Sequence, residues 1–477
     1  MISKYKNLYW SIFQTFGIKI ISFLNLLILT RLIDPKSFGL IAMLTVILQL
    51  SQALVNGGFN HALIQAKNIN EDDYSSVFWI NIIISVFLYL SIYSLAPLIA
   101  TFYNQEELVN ITRIISIIFI INAFSNIQET ILIKELEFKK IAIINIPATI
   151  IGAVLGVILA LFDYGVWSLV IMQLVTRSIY SIQIWKNSNW KPKKIININK
   201  IKVLYVFGSK MVFSEFIHII FQNLYLIIIG KQYSAQTLGL YQNASNLVNI
   251  PSYTLSESLA KVYFPYLSGF QDNNEILKNE IKEIVKLTIF ITAPLFIFIS
   301  VLAYPAFKIL FTSKWIQSIE YFQWLCLSSV LFPINNINLQ ILKVKGRSDL
   351  YLKLEILKKI IILIGIFISM KFGIIGIVVF QFINSILTFL INSHNTSLMI
   401  NYNLLSQTKD ILPSIVISII SGIIVLLIDK TINQYSELLR LILGFIIGFL
   451  SYILISKYYN NSLYNKIILF AKRNISI

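Results

Sequence analysis

Apolar runs long enough to cross a lipid bilayer recur along almost the whole chain of 477 residues. A membrane-spanning helix needs about 20 mostly apolar residues. The recurrence predicts an all-α polytopic membrane protein with about 14 transmembrane helices. The first run is too long for a signal peptide and has no small-residue cleavage site. The predicted spans, numbered in chain order, cover residues 8–30, 38–62, 77–103, 111–133, 141–162, 164–185, 203–229, 238–266, 284–307, 318–342, 354–372, 374–398, 411–428 and 438–456.

The composition agrees with a chain that is buried in lipid. Hydrophobic residues make up 57% and charged residues 13%, with a mean hydropathy of +0.75, whereas soluble proteins carry about 25% charged residues. The single cysteine, Cys326, excludes an intramolecular disulfide. The sequence has no P-loop, no GxSxG motif and no His/Cys spacing that is typical of a metal site. We therefore expect no cofactor, no metal and no enzymatic activity.

The basic residues are distributed unevenly between the two sides of the predicted membrane. If the N-terminus is cytoplasmic, the inside segments carry roughly three times as many Lys and Arg residues as the outside segments, as cytoplasmic loops do. This asymmetry places both termini in the cytoplasm. It also accounts for the net charge of +17 without a nucleic-acid partner, because the cations are spread over many loops. Some of them are expected to contact anionic lipid headgroups.

A short polar connector occurs twice, 200 positions apart. Residues 31–40 read RLIDPKSFGL and residues 231–240 read KQYSAQTLGL, and both open with a cation and end on Gly-Leu. Because an even number of spans separates them, the two halves are expected to be related by an axis along the membrane normal. Chance is the alternative, since the match is short. The predicted organisation is a six-helix lobe at 1–186, a basic cytoplasmic linker at 187–202, a second six-helix lobe at 203–400, and two further helices with a tail at 401–477.

Polar side chains form matching stripes in the two halves. Positions three or four apart share one face of a helix. Amides in lipid are costly unless they face protein or water, so these stripes predict two helices that line a shared cavity. Hydrogen bonding between helices is the alternative for any single amide. The stripes comprise Gln49, Gln52, Asn56 and Asn60 in span 2, and Gln242, Asn246, Asn249, Tyr253 and Glu257 in span 8.

Ionisable residues within the predicted spans indicate a transport pathway, because such residues are expensive in lipid and mark substrate or ion routes. Lys19 stands midway along span 1 and has no acidic residue near it in sequence. Glu257 and Lys261 are spaced i,i+4, so a structural ion pair is the alternative for them. The other candidates are Lys210, Glu215 and His218 in span 7 and Glu129 in span 4.

The excess of cations over acids predicts a cavity with positive bias, suited to a phosphate or diphosphate group. The amide stripes beside it suit sugars, whose hydroxyls both donate and accept hydrogen bonds. Since the sequence contains no nucleotide site, the energy for transport must come from an ion gradient, of H⁺ or Na⁺, or from the substrate gradient.

Three segments resemble the Wzx-type polysaccharide flippases of the MOP superfamily: LILTRLIDPKSFGLIAM, LGLYQNASNLVNIP and VYFPYLS. The resemblance implies two six-helix lobes plus two C-terminal helices in a bacterial inner membrane. It implies a polyprenyl-diphosphate-linked glycan as substrate, alternating access, and a polysaccharide polymerase as a further partner. Arg31 matches the family's arginine after the first helix. It either binds the diphosphate or fixes that helix end at the interface.

Other functions fit parts of the pattern. A MATE-like exporter would share the fold, but its cavity usually relies on acids, and the excess of Lys argues against it. A peptidoglycan-precursor flippase would also have about fourteen helices and a cationic cavity. A membrane-embedded glycan transferase or ligase should carry a large outer loop with catalytic carboxylates, and the predicted outer loops are about ten residues long.

Overall fold

The computed structural model describes residues 2–56, 58–66, 69–459 and 464–465. Within these residues helices are the only regular secondary structure, which confirms the predicted all-α class. The chain forms two compact units, residues 1–242 and 243–477. The predicted lobe and linker boundaries stay predictions.

The first unit is built from eleven helices, the last of which continues into the second unit. In this unit α1 and α8 pack on α7, α4 packs on α5 and α6, and α2 contacts α4, α6, α8, α9 and α10. The helices are α1 Ile2–Leu32, α2 Pro35–Asn56, α3 Phe59–Gln65, α4 Glu71–Tyr103, α5 Leu108–Ile115, α6 Ile118–Lys134, α7 Phe138–Leu161, α8 Val166–Lys186, α9 Ile198–Gln222, α10 Leu224–Gln232 and α11 Ala235–Ser268.

The second unit is organised around α12, which packs on α14, α15, α17, α18 and α19. A short 3₁₀ turn at Met370–Phe372 separates α16 from α17, and Gly373 follows it at φ +73°, so the chain turns between the spans predicted for 354–372 and 374–398. The helices are α12 Asn274–Val301, α13 Ala303–Leu310, α14 Ser318–Ser329, α15 Phe332–Val344, α16 Ser348–Ser369, α17 Gly373–Ile400, α18 Leu404–Thr431 and α19 Glu437–Tyr459.

Ten helical segments among the described residues are long and apolar enough to cross a membrane, or eleven if the bent pair α9–α10 is one span. This count treats α16 and α17 as one segment, Ser348–Ile400, and leaves out α8 and α11. Both of these helices carry many polar side chains. The structure thus confirms a polytopic membrane protein, while the number fourteen stays a prediction.

Several predicted spans are interrupted. The span predicted for 38–62 ends at Asn56, and a new helix begins at Phe59. Gly58 adopts φ +67°, and a Cβ atom there would lie 2.5 Å from the Cα of Gly208. The chain therefore turns where α3 approaches the α9 backbone closely, a position that favours glycine.

The two repeated connectors fold in the same way. Asp34 Oδ1 accepts a hydrogen bond from the backbone N–H of Ser37 at 2.8 Å, and Ser234 Oγ accepts one from Thr237 at 3.1 Å. Both are N-caps, which satisfy backbone donors that the first helical turn leaves unpaired. The cap residues are 200 positions apart, so α2 and α11 begin with the same type of side-chain N-cap.

The beginnings of α2 and α11 cross at two glycines. A Cβ on Gly39 would lie 1.7 Å from the carbonyl oxygen of Ala235, and a Cβ on Gly239 would lie 1.8 Å from that of Pro35. The contact is reciprocal, because each glycine faces the carbonyl oxygen four residues before the other. Small residues let membrane helices approach to backbone contact. The repeated Gly-Leu therefore marks a helix crossing.

The polar residues after α8 are bound to α4. The backbone N–H of Lys193 donates to Ser75 Oγ at 3.0 Å, and Trp79 Nε1 donates to the Lys193 carbonyl oxygen at 2.8 Å. The Lys193 amine also pairs with Glu71 at 3.0 Å and Asp72 at 3.2 Å. The predicted linker is thus fastened along the start of α4 before α9 begins at Ile198.

Candidate functional site

The polar stripe of α2 is a hydrogen-bonded ladder. Gln52 Oε1 accepts from Asn122 Nδ2 at 2.6 Å, and Asn56 Oδ1 accepts from Asn126 Nδ2 at 2.9 Å. Within α2 itself, Gln52 Nε2 donates to Asn56 Oδ1 at 2.9 Å. The amides therefore connect α2 to α6, as interhelical hydrogen bonds do in membranes.

The same stripe lines a cleft between α2, α3 and α9, which we call the α2–α9 cleft. Its volume is about 440 Å³. Gln49, Gln52 and Asn56 line it from α2, and Glu215 lines it from α9, where its side chain is exposed. The α2 amides thus bind a neighbouring helix and also border an open space, while a cavity shared by α2 and α11 stays a prediction.

A second cavity lies inside the first unit, between α1, α2, α6, α7 and α8. This inner cavity has a volume of about 530 Å³. Gln49 and Gln52 line it as well, so they form the wall between the inner cavity and the α2–α9 cleft. The other polar side chains that line it are Ser22, Asn25, Asn122, Asn145, Thr149, Gln173, Thr176, Arg177 and Tyr180.

The helix that faces the α2 stripe is bent. The axes of α9 and α10 meet at 48° with Asn223 between them. The side-chain Nδ2 of Asn223 donates to the Ile219 carbonyl oxygen at 2.8 Å and to Gln49 Oε1 at 2.7 Å. Inserting a side chain at the backbone is a known cause of kinks. The bend is therefore hydrogen-bonded to the wall that the two cavities share.

The predicted cations are spread over three helices. Lys19 is exposed on α1, Arg31 is exposed in the last turn of α1, and Lys261 is exposed on α11. Lys210 belongs to α9, but its side chain lies outside the described part of the structure. Lys19, Arg31 and Lys261 do not line the α2–α9 cleft or the inner cavity. Their role as a diphosphate site stays a prediction.

The remaining predicted residues of the first unit are placed as follows. His218 is exposed on α9. Glu129, on α6, is half-buried and lies beside the Arg177 guanidinium and the Tyr180 hydroxyl of α8. Glu129 does not line either cavity, but both of its neighbours line the inner one.

On α11, in the second unit, Asn246 and Asn249 are half-buried, and Asn249 Nδ2 donates to Ser245 Oγ at 3.0 Å. Glu257 and Lys261 are both exposed, and no salt bridge joins these two described side chains. The buried structural pair that was the alternative for them is therefore not formed.

Sequence reasoning missed the residues that complete the inner cavity and hold the bend. Asn25, Asn145, Gln173 and Asn223 are single amides within apolar runs, and this isolation was the available signal. Gln173 also begins a polar row on one face of α8, continued by Thr176, Arg177 and Tyr180, which was a second available signal. Among the described residues no group of three or more His, Cys, Asp or Glu side chains is arranged to hold a metal ion.

The model of the family described as polysaccharide biosynthesis proteins matches residues 28–320. The match includes both connectors, the α2 stripe and the α2–α9 cleft, and it includes the inner cavity except for the part of α1 before residue 28. The chain belongs to this family. This family, together with the relative WzxC described below, confirms the resemblance to Wzx-type polysaccharide proteins that three segments of the sequence predicted.

Two named relatives extend this family assignment. The teichuronic acid biosynthesis protein TuaB of Bacillus subtilis (strain 168) is 25% identical over 81% of this chain and 80% of its own length. The lipopolysaccharide biosynthesis protein WzxC of Escherichia coli (strain K12) is 24% identical over 80% of this chain and 79% of its own length.

Solved structures share the fold of this polysaccharide biosynthesis protein. The lipid II flippase MurJ, in an inward closed conformation, aligns with a TM-score of 0.75 and 19% identity over 96% of this chain and 99% of its own. An inward-facing multidrug resistance MATE family transporter aligns with a TM-score of 0.60 and 17% identity over 82% of this chain and 98% of its own.

Proposed function

We propose that this protein moves polyprenyl-diphosphate-linked oligosaccharide units from the cytoplasmic to the outer leaflet of a bacterial inner membrane, for surface polysaccharide synthesis. The observation that carries the proposal is the amide-lined α2–α9 cleft within a unit of membrane-spanning helices. Side-chain amides both donate and accept hydrogen bonds, which matches the hydroxyls of a glycan. The names of WzxC, TuaB and MurJ support the same substrate class.

The diphosphate is proposed to bind the cations Lys19, Arg31, Lys210 and Lys261. Charge-assisted hydrogen bonds from Lys and Arg to phosphate oxygens are about twice as strong as neutral ones. Lys19 supports this assignment because it is exposed partway along a membrane helix. A lysine that faces lipid at such a position raises the free energy of membrane insertion by roughly 3 kcal/mol. An amine that faces water and an anion avoids that cost.

Transport is proposed to proceed by alternating access, with H⁺, Na⁺ or the substrate gradient as its energy source. Coupling is assigned to the polar and acidic residues of the first unit, Gln49, Gln52, Asn56, Glu129 and Glu215, with His218, and to Asn246, Asn249 and Glu257 on α11. Membrane lipids and a polysaccharide polymerase are the further partners.

A MATE-like exporter of cationic small molecules is the second candidate. The observation that favours it is Glu215, a carboxylate exposed in the α2–α9 cleft. A single acid beside several neutral amides gives that cleft a negative bias, which suits a cation.

A flipping assay tests the proposal and separates it from this rival. The purified protein is placed in liposomes that contain a fluorescent polyprenyl-diphosphate disaccharide, and a membrane-impermeant quencher reports the exposed leaflet. We expect the quenched fraction to rise above that of protein-free liposomes. Protein that fails to move this lipid but accumulates ethidium under an imposed ion gradient would identify the exporter instead.

Membrane orientation gives a separate prediction. Fusions of a cytoplasmically active reporter to residues 190 and 459 should be active, because the adjacent segments are rich in Lys. A fusion within the connector at residue 34 should be inactive, and this position is the matched control. The reverse pattern would overturn the orientation without changing the fold.

A further inference from the structure

The inner cavity shares Gln49 and Gln52 with the α2–α9 cleft and otherwise has a different lining. Its polar lining comes mainly from uncharged amides and hydroxyls on α1, α6, α7 and α8. Among the described residues that line it, only Arg177 is charged, and Glu129 lies beside that guanidinium. Apart from this arginine, the polar groups that line the inner cavity are neutral hydrogen-bond donors and acceptors. The cavity is therefore suited to an uncharged polar ligand.

The hydroxyls and amides of this cavity retain free hydrogen-bonding capacity. Thr149 donates to the Asn145 carbonyl oxygen at 2.9 Å, and Thr176 donates to the Met172 carbonyl oxygen at 2.7 Å. Each donor is thus used, while the oxygen lone pairs can still accept from a ligand. The Oδ1 atom of Asn25 is buried and accepts no hydrogen bond from a described residue. A buried acceptor of this kind costs about 1–3 kcal/mol unless a partner satisfies it.

Size limits what can enter. The volume of about 530 Å³ lies within the range of small-molecule sites, about 300–1,000 Å³. A complete lipid-linked oligosaccharide has a polyprenyl chain that would not fit, so only a part of it can occupy the inner cavity.

We propose that the inner cavity binds one or two uncharged sugar residues of the transported glycan, and that Gln49 and Gln52 form the wall across which the glycan passes from the α2–α9 cleft. This inference rests on the proposed function. Gln52 is held by Asn122, and Gln49 is held by Asn223, so both wall side chains are fixed by single hydrogen bonds from neighbouring helices. Sugar hydroxyls offer the same kind of bond in exchange. Residues of α7 and α8, such as Asn145 and Gln173, then determine which sugar is accepted.

Cysteine protection tests this subsite. The native Cys326 is buried and is first replaced by alanine. Ala153→Cys then places a thiol in the inner cavity, and Ala53→Cys places a matched thiol in the α2–α9 cleft. Asn187→Cys, at an exposed position after α8, controls for reagent access. A small water-soluble methanethiosulfonate reagent is applied to membranes from host cells that either make the lipid-linked glycan or are blocked at its first sugar transfer.

We expect the glycan to slow the labelling of both cavity cysteines and to leave Asn187→Cys unchanged. The slowing is about tenfold if the substrate stands at roughly ten times its Kd. Equal labelling of Ala153→Cys in the two membranes, with Ala53→Cys protected, would overturn the sugar subsite and leave the proposed function standing. If neither cysteine is protected, the proposed function fails too. Should Ala153→Cys not accumulate, Ser22→Cys, at an exposed position of α1, reports on the same cavity.

Discussion

Gly39→Ala is expected to destabilise the protein by about 3 kcal/mol or more, the upper end of the range for overpacking. The added methyl group would lie 1.7 Å from the carbonyl oxygen of Ala235, so a backbone must move rather than a flexible side chain. Gly239→Ala should have the same effect, because its methyl group would meet Pro35 at 1.8 Å. The measurement is the yield of monodisperse protein in detergent, together with its thermal unfolding midpoint.

The control is Gly17→Ala in α1. A Cβ at Gly17 would meet Ile146 Cδ1 at 3.5 Å, an ordinary van der Waals contact. Since alanine favours a helix over glycine by about 1 kcal/mol, this variant should be neutral or more stable. The crossing at the two glycines would not be a tight backbone contact if Gly39→Ala matched Gly17→Ala in yield and midpoint.

Lys19→Ala is expected to abolish nearly all glycan export while protein levels stay normal. Losing a hydrogen bond to a charged group costs about 1.5–3 kcal/mol, which weakens binding of the diphosphate by roughly ten- to a hundredfold. Folding should not suffer, because Lys19 is exposed and alanine is a good helix former. Export is measured as surface polysaccharide per cell, normalised to the amount of protein in the membrane.

Two variants control for the loss of a positive charge. Lys19→Arg keeps the charge and should retain part of the export, although its planar guanidinium binds phosphate differently from an ammonium. Lys430→Ala removes an exposed lysine near the end of α18 and should export normally. Normal export by Lys19→Ala would remove Lys19 from the diphosphate site.

The sequence predicts most of the fold because lipid makes membrane helices simple to detect. The lengths of the apolar runs locate the helices. The two connectors locate a repeated helix start, since Asp34 caps α2 and Ser234 caps α11. The interruptions were not predicted. They arise where a side chain such as Asn223 bonds to its own helix, or where two backbones meet, as at Gly58 and Gly208. These are single hydrogen bonds and backbone contacts, and they leave little trace in hydropathy.

The candidate site was predicted in part for a similar reason. Periodicity places Gln49, Gln52 and Asn56 on one face of α2, because that depends on this helix alone. The partners Asn122 and Asn223 come from other helices, and their identity depends on how the helices pack. The inner cavity was missed because four of its five helices contribute only one or two polar residues each, and the longer polar row on α8 was not recognised.

The Asn223 side chain holds the bend with two hydrogen bonds, and we expect α9–α10 to exchange between this bent form and a straighter one. One net hydrogen bond contributes about 1 kcal/mol, so losing the bond from Asn223 to Gln49 changes the ratio of bent to straight helix by roughly fivefold. A ligand hydroxyl that takes over the Gln49 oxygen thereby shifts this ratio as well. Sugar binding and helix bending are then coupled through the Gln49 amide. Spin-label distances across the bend, measured with and without substrate, give the size of this coupling.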